Sequence, residues 1–383
     1  MSVTTPQGFT AAGIASGIKE NGNKDLALVV NQGPDYTAAA VFTANRVAAA
    51  PVHYSRAAIQ DRTAYAVVLN SGGANACTGK PGYADTVATA DKVANVLSCQ
   101  RDEVLVCSTG IIGVRLPMGK LLAGIDTAAA QLSTDGGADA AEAIMTTDTV
   151  AKTAAATGSG YSIGGIAKGA GMLAPELATM LVVVTTDAKL TGEEADAYLS
   201  EAMRVSFNRV DADGCMSTND AVILMSSGAS GVSPEPAEFQ ELLNQVCTDM
   251  AKQLVADAEG ASHEIEITVV NAATEEDAEE VARTVSRSAL FKTAIFGNDP
   301  NWGRIVSAVG TTKAAFDPDE LDVTINGVQV CRACGIGEPR ENVDLSGREV
   351  TVEIDLHAGN KSATLWTIDL THAYVEENSA YSS

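Results

Sequence analysis

The side chains most often recruited for catalysis are arranged in this 383-residue chain so that most familiar chemistries fail. Its four histidines, His53, His263, His357 and His372, lie far apart in sequence. That spacing disfavours a histidine metal cluster and leaves few candidates for a Ser-His-Asp arrangement. Cys331 and Cys334 form a CxxC pair, but no second pair accompanies them. They also fall in a β-patterned region, not at a helix N-terminus that would lower a thiol pKa, so a structural role is expected. The phosphate loops fail on spacing too. Gly119-Lys120 is followed by Leu121 with Gly113 one residue too far upstream, and Gly79-Lys80 is followed by Pro81. The glycine-dense run from Gly164 to Met172 lacks the order of a dinucleotide fingerprint. The segment DADGCMSTND (211–220) starts like a calcium loop, but Gly214 comes two places early and the closing Glu is absent, so a polar turn is expected. No metal, nucleotide or other cofactor is therefore expected. Acyl transfer here would need a base other than His, which directs attention to a hydroxyl activated by its own N-terminal amine.

One segment has the order such a nucleophile needs. AKGAGMLAPELATMLVVVTTDA (167–188) runs from a glycine-rich approach with one Lys through a Pro-containing turn to Thr179, which heads the apolar run Met180 to Val184. On residue type alone, a Thr beside an apolar run is far more often a strand residue than a nucleophile.

These residues must be held by regular elements. LALVVN (26–31), AAVFTANRV (39–47), AYAVVLN (64–70) and VLVCSTG (104–110) read as strands, and Tyr83 to Leu97 carries apolar residues at helical intervals. Residues 126–160 are rich in Ala, Gly, Thr and Asp, which suggests small helices and loops with little to bury. Thr191 and Glu194 make a capping box ahead of a helix, Pro236 leads a second and Thr274 starts a third. Beyond about residue 318 the period switches to two, with an Asn326-Gly327 hairpin turn. An α/β or α+β body with a C-terminal sheet follows.

The formal net charge of −24 repels phosphate backbones and anionic headgroups, so nucleic acid and membranes are poor partners. The start of the chain shows neither a basic n-region nor an apolar h-region, and the odd number of scattered cysteines suits a reducing cytoplasm. A cytoplasmic globular protein is expected.

The wording of the motifs adds more. KGAGMLAPELATMLVVVTTDA closely resembles the signature of the ornithine acetyltransferase family, also called glutamate N-acetyltransferases. The likeness extends over GGANACTG (72–79), CSTGIIG (107–113), AIMTTDT (143–149), STND (217–220), DAEGAS (257–262), FGNDPNWGR (296–304) and DLTHAYVEENSAYSS (369–383). It implies self-cleavage between Ala178 and Thr179, giving an α chain of residues 1–178 and a β chain of residues 179–383. Thr179 would then be the nucleophile and, through its freed amine, the base. The same resemblance implies Thr109 and Gly110 as the oxyanion hole, and Thr146, Lys168, Thr179, Glu259, Asn378 and Ser383 as substrate-binding residues. A Lys suits an α-carboxylate and a Glu suits the ammonium of ornithine. The spacing between MTTDT and AKGAG is a residue short of the family pattern, which leaves Thr146 and Thr147 as alternatives for one contact.

The implied fold is α/β, the layered α/β/β/α sandwich of self-processing N-terminal nucleophile-like proteins. Residues 1–285 would form the catalytic body and residues 286–383 a smaller β-rich α+β domain whose tail completes the active site. Two α and two β chains would associate. The implied reaction passes acetyl from N2-acetyl-L-ornithine to L-glutamate through an acetyl-threonine, in cyclic arginine biosynthesis. Two other readings stand beside it, a self-processing aminopeptidase or amidase of related fold and a non-catalytic acidic binding protein. Acetyl-CoA as a further donor is not favoured by the net charge, so the ornithine-donor cycle alone is the expectation.

Overall fold

The computed structural model describes residues 1–174 and 180–380. The chain divides into two compact units, the first made of Met1–Asn208 and Cys215–Asp257, the second of Arg209–Gly214 and the residues from Ala258 onward.

The strands of the first unit are Phe9–Ile14 (β1), Leu26–Asn31 (β2), Thr37–Phe42 (β3), Ala66–Gly73 (β4), Val104–Ile111 (β5), Lys152–Thr157 (β6), Ser162–Lys168 (β7), Leu181–Thr186 (β8) and Ala221–Ser226 (β9). Its helices are Ala50–Ala58 (α1), Gly79–Leu97 (α2), Met118–Ala130 (α3), Gly137–Ala143 (α4), Gly192–Val205 (α5) and Pro236–Ala256 (α6). Two sheets result, one ordered β1-β2-β4-β5 and the other β3-β9-β8-β7-β6. Strands such as LALVVN are buried on both faces, and the alternation of side chains explains why. Ala27, Val29, Val67, Leu69, Leu105 and Cys107 meet Ile166, Leu181, Val183, Ile223 and Met225 in one core between the sheets. Leu26, Leu28, Val30, Val68, Val104 and Val106 face the opposite way, onto residues of α1, α2 and α3. The helices α5 and α6 cover the other sheet. This is the expected α/β/β/α layering.

The Ala-rich stretch differs from its expectation. Ala140, Ala141 and Ala143 of α4 are fully buried in the core between the sheets, with Ile144 beside them. Small residues are required there because the backbones nearly touch: a Cβ on Gly136, the N-cap of α4, would stand 1.8 Å from the Ala11 carbonyl oxygen. Low side-chain volume marked close packing here, not exposure. The capping box of Thr191 and Glu194 on α5 is formed as the spacing indicates.

The second unit contains the strands Glu264–Ala272 (β10), Asp322–Ile325 (β11), Val328–Arg332 (β12), Gly335–Ile336 (β13), Glu349–Asp355 (β14) and Lys361–Ile368 (β15). Its helices are Glu275–Ser286 (α7), Ala289–Phe296 (α8), Trp302–Val309 (α9) and His372–Ala380 (α10). The sheet order is β13-β12-β11-β14-β10-β15, with Asn326-Gly327 turning the β11–β12 hairpin. Ile265, Ile267 and Val269 of β10 and Val350, Val352 and Ile354 of β14 pack on Ala278, Val281, Ala282 and Val285 of α7. Apart from Arg209–Gly214, this unit runs from Ala258 onward, so it takes in residues 258–285 that the sequence reading assigns to the catalytic body. β10 pairs parallel with β14 and antiparallel with β15, so it is an interior strand of the C-terminal sheet. Its partners lie about 80 to 100 residues away, a distance at which no local pattern assigns a strand to a sheet.

The segment resembling a calcium loop begins with an ion-paired residue. The buried carboxylate of Asp211 receives Arg287 Nε at 2.7 Å and lies 3.7 Å from Arg283 Nη1. Cys331 is buried on β12 and burial pushes its thiol up to about 11, in keeping with the structural role expected of the CxxC pair.

Candidate functional site

The two-residue period of the strands decides which polar side chains enter the space between the sheets. On β5, Leu105 and Cys107 face that space, and the next residue in the series is Thr109. On β7, Ile166 faces it, and the next is Lys168. Both residues are buried, and Lys168 Nζ donates to Thr109 Oγ1 at 3.4 Å, the long end for such a bond. A hydroxyl that accepts from an ammonium keeps its own proton for another acceptor.

Around this pair is a buried charge network. Asp148 Oδ1 accepts from Lys152 Nζ at 2.6 Å and from the Gly169 amide at 2.7 Å, and Asp148 Oδ2 accepts from the Thr146 amide at 2.9 Å. Lys168 Nζ stands 4.0 Å from Asp148 Oδ2, and Lys152 also reaches Asp257 at 2.5 Å. Burial alone would raise the Asp148 pKa, but the ammonium groups of Lys168 and Lys152 hold it well below the usual carboxylate range. A dehydrated carboxylate paired in this way keeps the two lysines in place. Thr146 Oγ1 lies 3.4 Å from the same carboxylate, which joins Thr146 to the group. Lys19 reaches the Met145 carbonyl at 2.7 Å, and burial lowers its pKa while Asp25 and Asp148 oppose the shift.

The strand end that carries Thr109 is fixed from several sides. Ser108 Oγ donates to Asn70 Oδ1 at 2.6 Å, and Asn219 Nδ2 donates to the carbonyls of Ser108 and Ala74 at 2.8 and 2.6 Å. The pairing of β4 with β5 is regular up to Gly72 and then shifts register at Gly73. Gly110 stands opposite with φ +126, and a Cβ there would meet the backbone of Gly72 and Gly73 at 2.6 Å. Only glycine fits, so the residue type at 110 follows from the backbone. A hydroxyl and a peptide N–H at adjacent positions are the kinds of donor an oxyanion hole uses.

The expected site residues thus fall into three groups. Thr109, Gly110, Thr146 and Lys168 are together in the first unit. Glu259 and Asn378 are in the second, where the turn after Glu259 is tied to α10. The Gly260 carbonyl accepts from Thr371 Oγ1 at 2.6 Å, and Thr371 Oγ1 accepts from the Tyr374 amide at 2.9 Å. Asn378 Nδ2 donates to the Tyr374 carbonyl at 3.0 Å. Ala178, Thr179 and Ser383 lie outside the described residues. Asp148, Lys152, Lys19 and Asp220 were not singled out from the sequence. Asp148 and Asp220 do stand inside AIMTTDT and STND, and that placement was the available signal. Among the described residues no group of three or more His, Cys, Asp or Glu could hold a metal, and no helix is long and apolar enough to cross a membrane.

The model of the ArgJ family matches residues 10–383. The chain is 60% identical over 383 residues to the arginine biosynthesis bifunctional protein ArgJ of Thermobifida fusca, with 100% of both chains covered. It is 61% identical, again over 383 residues and 100% of both, to the protein of the same name from Streptomyces coelicolor. A solved structure of arginine biosynthesis bifunctional protein argJ from Bacillus halodurans matches at 35% identity and a TM-score of 0.50, covering 51% of this chain and 97% of that one.

Proposed function

Because this chain belongs to the ArgJ family, we propose that it cleaves itself after Ala178 and uses the exposed Thr179 to carry acetyl from N2-acetyl-L-ornithine to L-glutamate. The protein is an acetyltransferase of arginine biosynthesis, and the finer reading concerns how its residues perform the transfer. The observation that carries it is the Lys168–Thr109 pair between the sheets, in which Lys168 sits on β7, the strand next to β8, and β8 begins two residues after Thr179.

In this reading Thr179 Oγ1 attacks the acetyl carbonyl while its proton passes to the α-amine of the same residue. The oxyanion takes the Thr109 hydroxyl and the Gly110 N–H, and the Lys168 ammonium turns the Thr109 proton toward it. Collapse breaks the C–N bond, and the leaving ornithine amine takes the proton back. Glutamate's amine then attacks the acetyl ester and gives a proton to the Thr179 amine, the ester C–O bond breaks, and that proton returns to Thr179 Oγ1, which completes a ping-pong sequence. Lys168 and Thr146 serve the α-carboxylate end, Glu259 the side-chain ammonium of ornithine, and Asn378 and Ser383 the remaining polar contacts. The products would assemble as two α and two β chains in the cytoplasm, as the family resemblance implies. The length of the solved Bacillus halodurans chain, covered at 97% while spanning 51% of this one, supports a two-chain product.

The aminopeptidase reading differs only in the acceptor, water instead of glutamate. Full-length relatives named for arginine biosynthesis favour glutamate. A further use of the same threonine is favoured by the word bifunctional in those names, namely charging by acetyl-CoA. That weighs against the single-donor expectation drawn from net charge, because a local pocket can overrule an average field.

The test is mass spectrometry of purified protein. Two chains meeting at residues 178 and 179 are expected in place of one 39.3 kDa species, with acetyl on the Thr179 peptide after brief incubation with acetylornithine alone. Active protein that remains a single chain, or acetyl found on another residue, would overturn the reading. Thr179→Ala should stay intact and inactive, whereas Thr179→Ser keeps the hydroxyl and should still cut.

A further inference from the structure

The second unit contains a cavity of about 300 Å³ that the mechanism above does not use. Its wall includes Asp213, Arg287, Ala289, Lys292 and Tyr374, and neither Glu259 nor Asn378 lines it.

Lys292 is the unusual group on that wall. Side chains of a helix lean toward its N-terminus, so Lys292 runs back over the start of α8. The residue is 7% exposed, and its ammonium donates to the Ala212 carbonyl. It makes no ion pair among the described residues. An ammonium has three N–H donors, and one neutral acceptor leaves the others unmatched. Burial lowers its pKa to about 8 against the pull of Asp213, Asp211 and Asp369, so it is still mostly protonated at pH 7. A buried cation with so little opposite charge in contact is costly unless something else meets it.

Other donors open on the same space. Arg287 engages Asp211 Oδ2 through Nε at 2.7 Å, and its Nη groups make no hydrogen bond among the described residues. Arg287 immediately precedes Ser288, the N-cap of α8, whose Oγ accepts from the Phe291 amide at 3.3 Å. The amides of Ala289 and Leu290 have no partner among the described residues. Unpaired amides and the positive end of the helix dipole favour an anion at this end.

The acidic neighbours narrow the choice of anion. Asp369 is already engaged, with Oδ1 accepting from the Ser262 and His263 amides at 3.0 Å each and Oδ2 meeting His263 Nδ1 at 2.8 Å. Asp213 remains on the cavity wall. A fully ionised anion such as sulfate would be repelled by that carboxylate. Hydrogen phosphate carries an O–H, which a carboxylate accepts.

We propose that this cavity is a phosphate site, in which the Lys292 ammonium, the Arg287 guanidinium and the first amides of α8 hold the phosphate oxygens while Asp213 accepts from its O–H. Free phosphate and a small phosphate ester share this chemistry, and the cavity has room for a modest substituent beside Tyr374.

The test is titration calorimetry of the full chain at about pH 6, where a phosphate ester still keeps its O–H in part. Inorganic phosphate, glycerol phosphate and sulfate are the probes. Saturable binding of phosphate or its ester is expected, with sulfate at least about 10-fold weaker, and the tighter of the first two identifies the source. Lys292→Gln should weaken binding about 10-fold or more, as for loss of a charged donor. Ala289→Asp supplies a variant that keeps the fold, because a carboxylate suits the first turn of a helix, yet it sets a negative charge against the ligand and should weaken binding at least as much. If K292Q does not fold, A289D decides alone. No binding to the wild-type chain, sulfate bound as tightly as phosphate, or wild-type affinity in either folded variant overturns the proposal.

Discussion

Lys168 Nζ donates to Thr109 Oγ1 although the two residues belong to different sheets and are 59 positions apart in the chain. The bond crosses the space between the layers and turns a strand-end threonine into a directed donor. Thr109→Ala should therefore lower kcat about 10²-fold or more, with a smaller effect on KM, while Thr109→Ser should retain most activity. Steady-state kinetics with acetylornithine and glutamate decide it. An unchanged kcat in T109A would move the oxyanion site elsewhere.

Asp148 ties Lys152 and Lys168 together, and its charge should be visible in stability. Its folded pKa is depressed, so the stabilisation is fully present above the unfolded pKa of about 4 and is lost as pH falls below that toward the folded value. Asp148→Asn should cost about 3 kcal/mol at pH 7, since it leaves buried ammonium groups with less counter-charge. Urea unfolding of both proteins at pH 7 and near pH 3 is the check. A gap of equal size at the two pH values would contradict this account.

Gly110 has no room for a side chain, because the atoms a Cβ would meet are backbone and cannot swing away. Gly110→Ala should destabilise by about 1–3 kcal/mol or prevent folding, and any folded fraction should be impaired in transfer. Calorimetry with an activity assay measures both. Wild-type melting and turnover would show that the close β4–β5 approach is dispensable.

The donor question has a direct assay. Processed enzyme given glutamate and acetyl-CoA without acetylornithine should release free thiol if one acetyl-threonine serves both donors. Absence of release, beside normal acetylornithine turnover, would restrict the protein to the ornithine cycle.

Much of this molecule can be read along the chain because the interactions responsible are local. The Thr191–Glu194 box, the Asn326-Gly327 turn, the strand LALVVN and the apolar spacing of α2 and α6 depend on neighbours within a few residues, where side-chain period and capping chemistry act. The motifs around residues 109, 146 and 168 were likewise legible as words. The role of residues such as Asp148 and Asp220 was not. An aspartate's charge, protonation and partners depend on which ammonium groups and amides the fold brings to it, and Lys152, Lys168, Gly169 and Met180 reach these two carboxylates only after the strands have paired. The same holds for β10, whose alternating residues become an interior strand through partners about 80 to 100 positions away, and for the alanines of α4, whose small size signals contact and not exposure. Sequence determined the elements and the residue types available for chemistry. Tertiary structure decided which of those residues meet and in what charge state, because desolvation and hydrogen bonding exist only once distant segments are packed together.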